Sequence, residues 1–214
     1  MTRVWIYGSG GHAKVVIDAA EQAGLLIAGV VDDAPEKWGT RLFGYGIIGG
    51  LEALLKTRSE GDHAFVAIGD NQARQQIANR LDAFGIRLIT IVHPSARVGR
   101  AVHLADGCIL MPGAIVNADS RIGRGVIVNT AASVDHDCCL GRYVHLSPGA
   151  RLGGHVQIGD RTWVGINASI IPGCRIGADC IVGAGAVVVR DVADDTTVVG
   201  VPAKPLVKTE RQLR

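Results

Sequence analysis

The sequence has few aromatic side chains, little net charge and no paired cysteine motif, and each shortage excludes a class of protein. Aromatic residues make up 4% of the 214 residues although 48% are hydrophobic, so the core must be built from small and aliphatic side chains. The 22 basic and 20 acidic residues leave a net charge of +2, which lacks the positive field of a nucleic-acid-binding protein. The five cysteines form no Cys-x-x-Cys pair, which disfavours a disulfide framework or a zinc knuckle.

Long apolar runs are also missing. The sequence has no basic leader followed by an apolar stretch, and no run of about 20 apolar residues that would cross a bilayer. We therefore expect a cytoplasmic protein without a membrane partner. Glycine, by contrast, is abundant at 29 residues and follows no three-residue period, which indicates many tight backbone corners in a globular chain.

A strict six-residue period runs through the second half of the chain. Every sixth residue from Val92 to Val188 is Val, Leu or Ile, and the residue four places after each of these aliphatic residues is small. Glycine follows the aliphatic residue at eight of the steps. This pattern predicts a triangular coil in which six residues form one side and one corner, so that residue n stacks on residue n+18.

Four of the five cysteines fall in the small, inward register of this repeat, and only Cys139 lies outside it. We therefore interpret the four as small buried hydrophobic residues rather than as reactive thiols. The role of Cys139 stays open.

The first ninety residues have a different pattern, of short apolar strands alternating with helical segments. The strand Arg3–Tyr7 leads into Gly8-Ser9-Gly10-Gly11-His12, and a second strand ends at Asp32-Asp33. A last strand is predicted over residues 87–91, just before the repeat. Glycines at a strand-to-helix turn approximate a dinucleotide-binding fingerprint, in which backbone amides hold a phosphate and a carboxylate accepts from a ribose hydroxyl. The segment predicts a small parallel α/β domain with a Rossmann-like phosphate site at Gly8, Ser9, Gly10 and His12.

The repeat and its closing segment Gly200-Val201-Pro202-Ala203-Lys204 resemble the left-handed β-helix, or hexapeptide-repeat, acyltransferases. With Tyr7–His12, Asp32-Asp33, Ala67–Asn71 and Asn129–His145, the whole chain resembles the sialic-acid O-acetyltransferase-like family of sugar acyltransferases, which includes bacterial nucleotide-sugar N-acetyltransferases. The resemblance implies a Rossmann-like domain over residues 1–90, a left-handed parallel β-helix over 91–204 and a C-terminal tail over 205–214. It also implies a homotrimer with active sites between chains.

One histidine stands out by its placement. His136 follows the inward Val134 by two residues, which predicts that it points outward, and imidazole suits proton removal at neutral pH. The segment Asn129–Cys138 resembles the family motif that carries the catalytic histidine. By that resemblance His136 is the general base and Asp137 orients it. Whether Asp119, Asp137 and His155, spaced 18 residues apart, form a catalytic or a purely structural column stays open.

The family resemblance also implies the substrates. Acetyl-coenzyme A is the expected acyl donor, with no resident metal. Gly154 is expected to offer its amide to the thioester oxygen, and His145 to play a supporting role near the thioester. The other residues expected to hold the coenzyme are Gly165, Ile166, Gly183, Ala184, Pro202 and Lys204.

The expected acceptor is the amino group of a nucleotide-linked amino-deoxy sugar, such as a 4-amino-4,6-dideoxy sugar for a surface polysaccharide or glycan. Asp32 or Asp33 is then expected at the ribose or base, and Asn129 beside the sugar. One alternative is O-acetylation of sialic acid or a related free sugar, and another is a non-catalytic nucleotide-binding regulator. A metal-dependent prism hydratase is disfavoured because no two histidines here are five residues apart.

Overall fold

The computed structural model describes residues 2–206 and shows an α/β unit packed against a triangular β-helix. The elements of the α/β unit are β1 (Arg3–Tyr7), α1 (Gly11–Gln22), β2 (Leu26–Val31), a 3₁₀ turn (Pro35–Lys37), β3 (Arg41–Leu42), β4 (Tyr45–Gly46), α2 (Leu51–Thr57), β5 (His63–Val66) and α3 (Asn71–Ala83). Strands β2, β1 and β5 form a parallel sheet in that order, as the alternation of strands and helices predicts.

Two details of this unit differ from the sequence prediction. The antiparallel hairpin of β3 and β4, which turns at Phe43-Gly44 with both residues at positive φ, was not predicted. The predicted strand over residues 87–91 is reduced to one bridge between Leu88 and Ala64, and Ile91 already pairs with the β-helix. Ile91, at the end of this segment, therefore belongs to the first turn of the β-helix rather than to the α/β sheet.

From β6 to β22 the β-helix consists of two-residue strands at every sixth residue, which confirms the predicted coil. The strands are β6 (Ile91–Val92), β7 (Arg97–Val98), β8 (His103–Leu104), β9 (Ile109–Leu110), β10 (Ile115–Val116), β11 (Arg121–Ile122), β12 (Ile127–Val128), β13 (Ser133–Val134), β14 (Cys139–Leu140), β15 (His145–Leu146), β16 (Arg151–Leu152), β17 (Gln157–Ile158), β18 (Trp163–Val164), β19 (Ser169–Ile170), β20 (Arg175–Ile176), β21 (Ile181–Val182), β22 (Val187–Val188), β23 (Thr197–Val199) and β24 (Lys204–Pro205). It is a left-handed β-helix of about six turns.

Every third strand stacks into one flat face. Face 1 contains β6, β9, β12, β15, β18, β21, β23 and β24, face 2 contains β7 and every third strand to β22, and face 3 contains β8 and every third strand to β20. We call the corner between faces 1 and 2 edge 1–2 and the corner between faces 2 and 3 edge 2–3. The parallel pairs are offset by 18 residues, for example Val116 with Val134.

The interior of the β-helix is filled as the two registers predict. The second residue of nearly every strand and the small residue of each corner are buried together, including Cys108, Cys138, Cys174 and Cys180. Glycine follows the aliphatic residue for a reason that the sequence did not reveal. At Gly159, for example, a Cβ would lie 2.4 Å from the Ala178 nitrogen of the next turn, so these glycines permit close stacking of corners rather than a special φ.

The α/β unit sits on face 1. Ile109 and Ile127 point outward from that face and are fully buried against α1 and β1. Arg74 of α3, with 1% of its surface exposed, donates to the carbonyls of Gly125 and Tyr143 at 2.9 and 2.8 Å and so fastens α3 to the β-helix. Within residues 2–206, no helix is long and apolar enough to cross a membrane.

Candidate active site

A cavity of about 360 Å³ lies at the start of α1, where the sequence predicts a phosphate site. Gly8 has φ +107°, and a Cβ there would lie 3.0 Å from the Ala67 carbonyl oxygen, so only glycine fits this turn. The first turn of α1 has no side-chain cap and no acidic residue, and a Cβ on Gly10 or Gly11 would meet only open space. The helix N-terminus is thus open to an anion.

Asp32 borders this cavity and organises its rim. Its carboxylate accepts hydrogen bonds from the amide and hydroxyl of Ser9, from the Ala34 amide at 2.9 Å and from Lys37 Nζ at 3.1 Å. Burial alone would raise the pKa of Asp32, but these hydrogen bonds together lower it. Asp32 is therefore an ionised carboxylate that fixes the glycine loop and places the Lys37 ammonium beside it.

Asp33, the second predicted carboxylate, is held in a different way. Its oxygens accept from the Tyr7 hydroxyl and from Arg80, each at 2.6 Å, and about half of its side chain is exposed. The two acidic residues thus diverge at the end of β2, since Asp32 turns toward the glycine loop and Asp33 toward Arg80.

His12 and His145 meet where the α/β unit touches face 1. Their ring centroids are 6.1 Å apart. His145 Nε2 lies 3.1 Å from the side-chain amide nitrogen of Asn129, and His145 Nδ1 lies 3.3 Å from the carbonyl oxygen of Gly69. Because the amide donates and the carbonyl accepts, His145 is a neutral imidazole with its proton on Nδ1. His12 Nε2 is buried without a hydrogen-bond partner among the described residues.

Burial, and then the positive charge of Arg74, lower the pKa of both histidines, to about 4 for His12 and about 3 for His145. Arg74 is itself held by carbonyl oxygens and Asn71 rather than by a carboxylate. Both imidazoles therefore stay neutral at physiological pH and serve as fixed hydrogen-bonding groups rather than as cations.

A second cavity of about 540 Å³ continues beyond His145 along face 1. The Trp163 indole stacks on the His145 ring at 6.0 Å, donates to Ser147 Oγ at 2.6 Å and remains half exposed. Gly69 lines both this cavity and the one at α1, so the two spaces meet at Gly69. Neither Arg74 nor Trp163 was predicted as a site residue from the sequence. Trp163 occupies the outward position of the face 1 register, one turn above His145, and this spacing is the signal that would have found it.

His136 lies on edge 2–3 and points outward, as predicted. Its Nδ1 is 2.7 Å from Asp137 Oδ2, and about half of its side chain is exposed. The hydrogen bond to Asp137 raises the pKa of His136. With the proton on Nδ1 directed at this carboxylate, Nε2 presents its lone pair to an incoming group.

Gly154 lies one turn above His136 in the same edge. A Cβ on Gly154 would lie 2.6 Å from Cε1 and 2.7 Å from Nε2 of His136, so the imidazole occupies the space that any other residue would fill. His155 Nε2 is 3.7 Å from Asp137 Oδ2, and its ring meets the His136 ring edge-on at 5.2 Å. Asp119, one turn below, is outside this cluster.

The other residues expected at the coenzyme lie elsewhere on the β-helix. Gly165, Ile166, Gly183 and Ala184 follow strands β18 and β21 and so lie on edge 1–2. The two glycines already have a packing reason, because a Cβ on either would approach the next turn within 2.7 Å. Ile166 is half exposed, and Lys204 lines a shallow cavity at the last turn, next to the bend that contains Pro202.

A single chain does not bring all predicted site residues together. The α1 cavity, His145 and Asn129 lie on face 1 and edge 1–2, whereas His136, Asp137 and Gly154 lie on edge 2–3. The full width of face 2 separates the two groups. Asn129, expected beside the sugar, lies on edge 1–2 and contacts His145.

Known families match both parts of the chain. The family described as "PglD N-terminal domain" matches residues 3–81, and "Bacterial transferase hexapeptide (six repeats)" matches residues 155–190. GDP-perosamine N-acetyltransferase of Escherichia coli O157:H7 is 30% identical over 186 residues, which cover 84% of this chain and 82% of that protein.

Two solved structures show the same architecture. A variant of perosamine N-acetyltransferase from Caulobacter crescentus, in complex with CoA and GDP-perosamine, has a TM-score of 0.92 and 44% identity and covers 97% of this chain and 98% of its own. The acetyltransferase domain of PglB from Neisseria gonorrhoeae FA1090, in complex with acetyl coenzyme A, has a TM-score of 0.89 and 39% identity and covers 95% and 98%.

Proposed function

The chain belongs to the family of sugar N-acetyltransferases that join a PglD N-terminal domain to hexapeptide repeats, and on this premise we propose that it acetylates the amino group of a nucleotide-linked amino-deoxy sugar. It is an acetyltransferase, and acetyl-coenzyme A is its acetyl donor. We further propose a cytoplasmic enzyme whose acceptor is a 4-amino-4,6-dideoxy sugar destined for a surface polysaccharide or glycan. The relatives with GDP-perosamine favour this acceptor over a free acidic sugar.

His136 is the general base of this proposal. Its Nε2 takes the proton from the sugar amine as the amine attacks the thioester carbonyl, and the new amide bond forms as the carbon–sulfur bond breaks. Coenzyme A leaves as its thiolate, and the imidazolium of His136 returns the proton to that sulfur. Asp137 holds Nδ1 and stabilises the imidazolium that results. The 2.7 Å pair of His136 and Asp137, exposed on an edge and packed beside Gly154, is the observation that carries the proposal.

The amide of Gly154 is the proposed donor to the carbonyl oxygen, where negative charge develops during the attack. Acetyl-coenzyme A supplies the activated acetyl group. By the family resemblance, we assign the remaining contacts of the coenzyme to Gly165, Ile166, Gly183, Ala184, Pro202, Lys204 and His145.

The α1 cavity is the proposed nucleotide site. The open N-terminus of α1 and the Lys37 ammonium suit a diphosphate, while Asp32 and Asp33 at the end of β2 suit the ribose and base. The sugar then extends past His12 toward His145 and Asn129. His12 Nε2, which has no partner among the described residues, offers a hydrogen bond without repelling an amino group, while His145 holds Asn129 through its own Nε2.

Because face 2 separates this cavity from His136, the proposed site needs two chains. In a homotrimer, edge 2–3 of one chain can meet edge 1–2 of its neighbour, which brings the base to the sugar. At an acceptor concentration well below KM, where His136→Ala and Asp32→Ala are both slow, we expect the two variants to regain activity when they are unfolded and refolded together, since about one quarter of the sites then combine two intact halves. Mixed trimers that stay as inactive as either parent would instead place each site within one chain.

The proposed reaction is tested directly with a panel of acceptors. GDP-, UDP- and dTDP-linked amino sugars and free sialic acid are incubated with acetyl-coenzyme A, and acetylated product is measured by mass spectrometry. We expect a single acetyl group that resists mild alkali, as an amide does and an ester does not. Acetylation of sialic acid alone would favour the O-acetyltransferase alternative, and binding of nucleotide without any acetyl transfer would favour a regulator.

A further inference from the structure

The three exposed side chains of edge 2–3, His136, Asp137 and His155, lie together in a way that the proposed reaction does not require. The reaction uses Asp137 to orient His136, and one histidine is sufficient for proton removal. Yet one ligand atom from each of the three residues lies within 4.8 Å of the other two. His155 is brought to the cluster by stacking, since it is 18 residues beyond Asp137 and occupies the same left-handed corner position, with φ +59° against +57°.

We propose that this cluster is a dissociable zinc site through which the metal inhibits the enzyme. Two imidazoles and a carboxylate are a common zinc ligand set, with bonds of about 2.0–2.2 Å, which places tetrahedral ligand atoms about 3.3 Å apart. The His136 Nδ1 and His155 Nε2 atoms lie 2.7 and 3.7 Å from Asp137 Oδ2. These two separations are within about 0.6 Å of the tetrahedral value. The third, between the two imidazole nitrogens, is no more than 4.8 Å, and the side chains are exposed enough to adjust.

The surroundings favour a cation. Asp135 precedes the cluster, and its carboxylate accepts from the His136 amide at 2.9 Å and from Asn117 at 3.0 Å. Asp119 occupies the corner one turn below Asp137. The three side chains are exposed, so water can complete the zinc shell at the fourth position. Since the three ligands belong to one chain and one edge, each chain holds its own site.

Zinc at this site disables the proposed base whichever ring nitrogen of His136 it takes. When zinc binds Nδ1, the single proton of the neutral ring moves to Nε2, which then has no lone pair for the amine. When zinc binds Nε2, the metal occupies that lone pair directly. Zinc also displaces Asp137 from its hydrogen bond to Nδ1, so the carboxylate no longer stabilises an imidazolium.

The inhibition rests on the proposed function, because it requires His136 to be the base, but the binding of zinc does not. The two are therefore measured separately on untagged, full-length protein. Zinc binding is followed by competition with a chromophoric zinc indicator. Activity is followed by mass spectrometry of the acetylated sugar, because the thiol of released coenzyme would itself bind zinc.

Zinc binding and inhibition are compared in the wild type and in three variants. The first expectations are for the wild type. We expect one zinc ion per chain, inhibition that rises as this site fills and full recovery with EDTA. His155→Asn should weaken zinc binding and raise the zinc concentration for half-inhibition by the same factor, at least about 10-fold, while its zinc-free rate stays near that of the wild type. His136→Ala should weaken binding similarly. Cys139→Ser, which removes the exposed thiol three residues away, should leave binding unchanged.

The outcomes separate the two proposals. Unchanged zinc affinity in His155→Asn and His136→Ala overturns the site, as does loss of the bound zinc in Cys139→Ser. If zinc binds as expected but a His136→Ala enzyme still turns over normally, the site stands and His136 is not the base. If His155→Asn does not fold, the His136→Ala and Cys139→Ser titrations alone decide where zinc binds.

Discussion

The two groups of histidines in this chain show how one side chain is used in opposite ways. His12 and His145 are largely buried beside the Arg74 guanidinium, and their pKa values fall to about 4 and about 3. His136 is exposed on an edge, and the Asp137 carboxylate raises its pKa. Burial next to a cation therefore makes neutral, fixed hydrogen-bonding groups for a ligand, whereas exposure next to an anion makes a proton acceptor.

The largest effect is expected for His136→Ala, which tests the role of the exposed histidine. We expect kcat to fall by about 10²–10⁴-fold, the usual contribution of a general base, with the fold and the binding of coenzyme unchanged. The rates are measured with saturating acceptor, and circular dichroism checks the fold. A rate near that of the wild type would remove His136 from the mechanism and leave the exposed group without a distinct role.

Because His12 and His145 are buried and have lowered pKa values, we expect the fold to lose stability in acid. A histidine whose folded pKa lies below its unfolded value stabilises the fold fully above about pH 6.5 and loses that contribution as the pH falls toward the folded value. Between pH 7.5 and pH 5 we expect a loss of about 2 kcal/mol for each of His12 and His145. Tm should therefore drop by several degrees, and this drop should be smaller in His145→Gln.

His136→Ala is the matched control for this measurement. The exposed His136 has a raised pKa and should not contribute to the loss of stability in acid. If His136→Ala reduces the acid-induced drop in Tm as much as His145→Gln does, the two groups are not distinct in the way the structure indicates.

Asp32→Ala tests the nucleotide side through substrate binding. The variant removes the acceptor for Ser9 and Lys37, so the glycine loop loses its anchor. We expect KM for the nucleotide sugar to rise by about 10-fold or more, since hydrogen bonds to a charged group contribute about 1.5–3 kcal/mol. The Kd for acetyl-coenzyme A, measured by calorimetry, should stay the same. An unchanged KM would mean that Asp32 does not organise the nucleotide site.

Asp137→Asn should lower kcat less than His136→Ala does. The side-chain oxygen of asparagine can still accept a hydrogen bond from His136 Nδ1, but asparagine carries no charge to stabilise the imidazolium. We expect kcat to fall by about 10-fold, clearly less than in His136→Ala. A loss as large as that of His136→Ala would indicate that Asp137 does more than orient and polarise the imidazole.

Much of the β-helix could be predicted because its contacts are local in the repeat. A residue meets the residues 18 positions before and after it, so the six-residue period alone locates the buried aliphatic residues, the inward cysteines and the outward His136. The same spacing brought His155 over Asp137. The resemblance to a known family added the roles of the residues, which spacing does not provide.

The joint between the α/β unit and face 1 could not be predicted in this way, because its partners are distant in sequence and follow no period. Arg74 contacts residues 51 and 69 positions away, and no local pattern distinguishes it from a surface arginine of an amphipathic helix. The burial that lowers the pKa of His145 likewise comes from a different part of the chain.

The sequence by itself determined the coil, the repeating pattern of buried and exposed positions along it, and the α/β order of the first ninety residues. Periodicity and strand-to-helix turns are short-range properties, so they can be recognised without the tertiary structure. Only the tertiary structure decided which face the α/β unit covers, and hence that His145 is neutral and Asn129 turns to it. The same docking left His136 exposed on a different edge, one face away from the α1 cavity, because packing surfaces match over long sequence distances that no local pattern encodes.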